Sequence, residues 1–184
     1  MQRHFAVLAS TVLLLGGLAF VVRAEPGSIL AFLPGQAEIR RTETWVKELI
    51  ASPTVDVVTL YGALDAQTQD RAISPAPEGR RKVVLATSIA ETSLTIEGVR
   101  VVVDSGLSRV PVFEPNIGLT RLETVRVSRA AADQRRGRAG RTEPGVCYRL
   151  WDEPQTASLA RQCAGDSCRR SLELRARSRA LGRR

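Results

Sequence analysis

Residues 82–104, Lys82-Val83-Val84-Leu85-Ala86-Thr87-Ser88-Ile89-Ala90-Glu91-Thr92-Ser93-Leu94-Thr95-Ile96-Glu97-Gly98-Val99-Arg100-Val101-Val102-Val103-Asp104, decide the fold. Two short apolar runs, Lys82 to Ala86 and Val99 to Asp104, read as strands, and between them lies a polar stretch, Ala86 to Gly98, rich in hydroxyls. A hydroxyl-rich loop at the C-terminal end of a strand suits phosphate and ribose contacts, because α/β sheets bind their ligands at that edge. Taken alone, the same loop also fits an ordinary polar connection.

Outward from this stretch the alternation continues. Further strands are expected at Ser28 to Leu33, Val55 to Leu60 and Val146 to Trp151, and helices at Gln36 to Ala51, Asp65 to Ile73 and Arg129 to Arg136. Ser128 is placed to cap the last helix, where a side-chain oxygen can accept from a free backbone N–H. Apolar strands alternating with helical stretches imply an α/β fold: a parallel sheet with crossover helices on its flanks. Between Leu107 and Val127, two β-like runs flank Pro115-Asn116-Ile117-Gly118 and read as an inserted antiparallel hairpin.

The two ends differ from this body. Phe5 to Val22 is an uncharged apolar run behind Arg3 and His4, with Val22 and Ala24 spaced like a signal-peptidase site. Residues 1–24 are therefore signal-like, anchor-like through residues 5–22, or a helix buried ahead of the first strand. The body spans residues 25–160. Residues 161–184 carry eight arginines against Asp166 and Glu173 and lack a helical or strand period. That tail reads as a disordered basic arm for nucleic acid or, preferred here, as the product of a shifted reading frame.

Composition narrows the chemistry. The 184 residues, 43% of them hydrophobic, suffice for one domain with a core. The net charge of +8 suggests a polyanionic partner, but residues 161–184 contribute +6 of it and the body is nearly balanced. Cys147, Cys163 and Cys168 have no Cys-x-x-Cys spacing, and His4 is the sole histidine, so no metal centre or disulfide framework is expected. A Ser/His/Asp or Cys/His hydrolase is disfavoured for want of a placed histidine.

The strongest signal is Gln134-Arg135-Arg136-Gly137-Arg138-Ala139-Gly140-Arg141, four arginines and two glycines behind a capped helix. Guanidinium groups grip phosphate with paired donors, and the glycines let the backbone turn tightly around them. A plain basic patch for nucleic acid is the alternative for this segment alone.

Together with Ser28 to Glu38 (SILAFLPGQAE), Leu60 to Asp65 (LYGALD), the hydroxyl-rich loop and Val103-Asp104-Ser105-Gly106, this segment resembles the second RecA-like domain of DEAH-box superfamily 2 helicases, with order and spacing like the bacterial HrpB type. The resemblance implies a RecA-like sheet with a strand-separating hairpin over Leu107 to Val127. It implies arginine fingers at Arg138 and Arg141, Gln134 near the attacking water or γ-phosphate, and Arg135 in support of the nucleotide side. Thr87, Ser93 and Thr95 would lie near the nucleic-acid backbone or the coupling path, and Glu97 near the nucleotide ribose. ATP and Mg²⁺ would be held mainly by a first RecA-like domain, and the other partner would be single-stranded nucleic acid, with RNA favoured.

The chain also departs from the family pattern. Ser88 stands where Asn is usual, and Ile73 where many eukaryotic relatives place an aromatic on adenine. Neither a G-x-x-x-x-G-K-[ST] loop nor a DExH box occurs in the sequence. The expectation is thus a cytoplasmic helicase half, a truncated product inactive by itself and without a stable membrane partner. The alternative is a non-catalytic nucleic-acid-binding module.

Overall fold

The structure is a computed structural model that describes residues 16–92, 96–114, 118–141 and 144–151. Residues 16–24 are helical (α1). The chain continues through β1 (Ser28–Phe32), α2 (Gln36–Ile50), β2 (Val55–Leu60), α3 (Ala66–Ile73), β3 (Arg81–Ala86), α4 (Ile89–Thr92) and β4 (Val99–Asp104). After β4 come β5 (Leu107–Glu114), β6 (Leu119–Arg126), α5 (Arg129–Arg136) and β7 (Val146–Arg149).

β1, β2, β3, β4 and β7 form one sheet in the order β2-β3-β1-β4-β7, with every pairing parallel. Its central strand, β1, is buried at all five positions. Successive side chains of a strand point to opposite faces, and the sheet divides its apolar residues accordingly. Ile29, Ala31, Val83, Leu85, Val101 and Val103 face α1 and α2, meeting Leu18, Val22, Ile39 and Val46. Leu30, Phe32, Val84, Ala86 and Val102 face the other way, against Ala72 of α3 and Ala90 of α4. This two-sided cover is why the inner strands read as unbroken apolar runs.

β5 and β6 stand apart as an antiparallel pair, in register from Leu107 opposite Arg126 to Glu114 opposite Leu119. The expected turn falls on residues 115–117, which lie outside the described residues, as do Ser93, Thr95 and residues 152–184.

The strands and long helices stand where the sequence places them, with small shifts at their ends. β1 stops at Phe32, although the Leu33 amide still donates to the Ala86 carbonyl at 2.8 Å. β7 stops at Arg149 rather than Trp151. Asp65 is the cap of α3 rather than its first residue, its side chain accepting from the Thr68 amide at 2.8 Å. The short helix α4 was not expected. It has four residues, too few for a hydrophobic period, and follows turn bonds from the Ala90 amide to Thr87 and the Glu91 amide to Ser88.

The part of the N-terminal apolar run that is described turns one face into the core and leaves Phe20 exposed. Leu18, Val21 and Val22 of α1 are buried against the sheet. Arg81 at the start of β3 donates to the carbonyls of Val22 and Glu25. Among the described residues, no helix is long and apolar enough to cross a membrane.

Candidate nucleotide and nucleic-acid site

The arginine segment begins on α5. Ser128 caps that helix, accepting from the Ala131 amide at 3.2 Å, and this fixes which arginines turn inward. Ala132 and Arg135, three residues apart, share the buried face, while Gln134 and Arg136 are exposed.

Arg135 is fully buried. Its Nε donates to Glu91 Oε1 at 2.7 Å, and its Nη1 donates to Asp104 Oδ1 at 2.7 Å and to the Leu107 carbonyl at 3.1 Å. Its Nη2 also lies 2.7 Å from Glu91 Oε1 but outside hydrogen-bond geometry, so that contact is ionic only. The guanidinium stacks 4.8 Å from the centre of the Phe32 ring. One side chain thus joins α4, the end of β4, the base of the hairpin and β1. Its interior position corrects the expectation of a nucleotide-side contact, because it has no exposed surface to offer a ligand. The carboxylates that hold it, Glu91 and Asp104, were missed as site residues; the signal available was an acid inside each quoted motif.

Beyond α5, Gly137 continues the turn, and Arg138 comes next with only 7% of its surface exposed. Its guanidinium donates to the Glu91 carbonyl. Burial chiefly, and then the neighbouring Arg141 charge, pull its pKa below the usual arginine value, while Glu91 opposes the shift. Arg138 nevertheless stays charged at neutral pH. Arg141 is exposed. Between them Gly140 takes φ +82°, a left-handed conformation that favours glycine. A Cβ on Gly145 would lie 2.5 Å from both the Gly140 nitrogen and the Arg100 carbonyl oxygen, so backbone alone fits where the arginine loop closes against β4.

The hydroxyl-rich loop leaves the C-terminal end of β3. Thr87 is half-buried there, its amide donating to the Leu60 carbonyl at 3.1 Å, so it sits where β2 and β3 end together. Glu97 is exposed in the turn before β4, its amide donating to the carbonyl of Ile73 at 3.4 Å. The structure therefore brings Glu91, Arg135 and Arg138 together and anchors Glu97 at the end of α3. Among the described residues, no group of three His, Cys, Asp or Glu side chains could hold a metal ion.

Comparison with known proteins shows the family and the fold. Residues 10–143 match the helicase conserved C-terminal domain. The chain is 53% identical over 144 residues to the ATP-dependent RNA helicase HrpB of Escherichia coli K12, covering 78% of this chain and 18% of that protein. It is 47% identical over 133 residues to the pre-mRNA-splicing factor ATP-dependent RNA helicase prp22 of Schizosaccharomyces pombe, covering 70% of this chain and 11% of that protein. A crystal structure of E. coli DExH-box NTPase HrpB superposes with a TM-score of 0.76 at 51% identity, covering 82% of this chain and 18% of that one. The chain thus spans less than a fifth of the length of these relatives. It belongs to the helicase conserved C-terminal domain family, with the RecA-like fold and the sequence of the DEAH-box, HrpB-like branch.

Proposed function

We propose that this domain is the ATP-sensing half of an RNA helicase, which completes an ATP site held mainly by a first RecA-like domain. The observation that carries this reading is the arginine loop: Arg138 pinned by the Glu91 carbonyl, with exposed Arg141 three residues on. Guanidinium groups held in place before reaction stabilise charge as it develops on a transferred phosphoryl group, without reorganising during the step. Arg138 and Arg141 are the fingers, and the exposed Gln134 orients the attacking water. Glu97, exposed beside the end of α3, meets the ribose, while Thr87, Ser93 and Thr95 serve the RNA backbone or the coupling path.

These residues fit one side of a triphosphate and no more. The sequence has neither a phosphate-cradling loop nor a DExH acid pair, so Mg²⁺ and the β- and γ-phosphates are held by the first domain. When bound, ATP supplies the phosphoryl group whose loss drives movement along RNA. A cytoplasmic location goes with this reading, supported by the ATP and RNA that such an enzyme needs.

The test is RNA-stimulated ATP hydrolysis by this chain alone and together with a first RecA-like domain. The expected result is no turnover alone, turnover with the partner, and a loss of about 10³-fold in kcat for Arg138→Ala, the scale of an arginine finger. Salt-sensitive RNA binding that vanishes on removal of residues 161–184, with no turnover in either setting, would instead establish a nucleic-acid-binding module.

A further inference from the structure

We propose that Glu91 is a positioning residue that ties the hydroxyl-rich loop to the arginine loop, so that a displacement of one is carried to the other. This rests on the reading of Arg138 as a finger and adds the element that sets its position.

The argument starts from how one residue is used twice. The Glu91 carboxylate receives Arg135, and its main-chain carbonyl receives Arg138. Arg135 lies at the end of α5 and Arg138 in the loop that follows, and the Arg138 amide also donates to the Arg135 carbonyl at 3.0 Å. Glu91 therefore grips the arginine segment before and after Gly137. On its own side, Glu91 lies in α4, four residues beyond Thr87, within the hydroxyl-rich stretch.

The grip is stiff because Arg135 has nowhere to go. It is enclosed by Phe32, Asp104 and Leu107 and carries no exposed surface. A buried guanidinium N–H that loses its acceptor carries the full desolvation cost of an unpaired donor, so the pair moves together rather than parting. A shift of α4 must then be followed by α5 or by the loop beyond it. Asp104 braces the same arginine from β4, where its main-chain carbonyl accepts the Leu150 amide at 2.9 Å, and this supplies an internal control.

The experiment uses the full 184-residue chain labelled with ¹⁵N-arginine, following the Nε–Hε signals of Arg135 and Arg138. Glu91→Gln removes the charge at nearly constant shape, Glu91→Asp keeps the charge but retracts it by one methylene, and Asp104→Asn weakens the brace from the other side. Thermal unfolding identifies the variants that remain folded. The expected result is that either Glu91 variant shifts both signals, whereas Asp104→Asn shifts Arg135 and leaves Arg138 in place. Glu91 variants that shift only Arg135, or neither signal, overturn the proposal.

The second readout is the kinetics of this chain assembled with a first RecA-like domain. Glu91→Gln is expected to lower kcat by about 10-fold while KM for ATP stays within about twofold, the signature of an interaction realised in the transition state. An unchanged kcat in Glu91→Gln, with Arg138→Lys inactive, overturns the positioning role alone. Full activity in Arg138→Lys would show instead that the finger reading had failed.

Discussion

Asp104 Oδ1 and Arg135 Nη1 meet at 2.7 Å with neither side chain exposed, and the same oxygen accepts the Gly106 amide at 2.9 Å. Removing the arginine would leave Asp104 and Glu91 as uncompensated acids in the interior. Arg135→Ala is therefore expected to cost about 3–5 kcal/mol, the range for breaking a buried pair from one side. Urea denaturation with far-UV circular dichroism measures it. A loss under about 1 kcal/mol would mean that the interior relaxes around the gap or admits water.

The second expectation concerns Gly145. Its missing Cβ is all that separates it from the Gly140 nitrogen and the Arg100 carbonyl, and at 2.5 Å those backbone atoms cannot yield as a side-chain tip would. Gly145→Ala should move the loop between Gly137 and Arg141, with a stability loss of about 1–3 kcal/mol from overpacking. Gly62→Ala, where nothing lies near the added methyl, is the control and should leave the melting temperature unchanged within error. Equal melting temperatures for both variants would refute the close approach.

Most of the sheet was legible because its residues obey one rule each. Strands covered on both faces must be apolar throughout, as Ile29 to Phe32 and Val83 to Ala86 are, and Ser128 and Asp65 announce their helices by supplying the oxygen that a helix start lacks. The candidate site was legible only in part. An arginine-rich segment advertises phosphate chemistry, but nothing in its letters says that Arg135 turns inward while Arg141 stays out. That division depends on Ala132 sharing a helix face with Arg135, and on two acids brought from 31 and 44 residues away in the chain. Long-range pairing of this kind leaves no local period, which is also why α4 and its Glu91 passed as loop.

The final expectation concerns Cys147 on β7. Burial chiefly, and then the Asp104 charge, raise its thiol from the ordinary 9.0 to about 11, against the opposing pull of Arg149 and Arg136. At pH 8 the thiolate fraction is then about 100-fold below that of an unperturbed thiol, and since only the thiolate attacks, alkylation should slow to match. Peptide mapping by mass spectrometry after timed iodoacetamide treatment, with N-acetylcysteine as reference, measures the ratio. The sign for stability follows from proton linkage. Between about pH 9 and 11 the unfolded chain has lost this proton and the folded chain still holds it, so the thiol's contribution to stability is complete below pH 9 and declines as pH rises through that window. Cys147→Ala should accordingly flatten the fall in melting temperature between pH 9 and 11, measured against the parent chain. An unchanged slope, with alkylation at the reference rate, would show that Cys147 is open to solvent at the edge of the sheet.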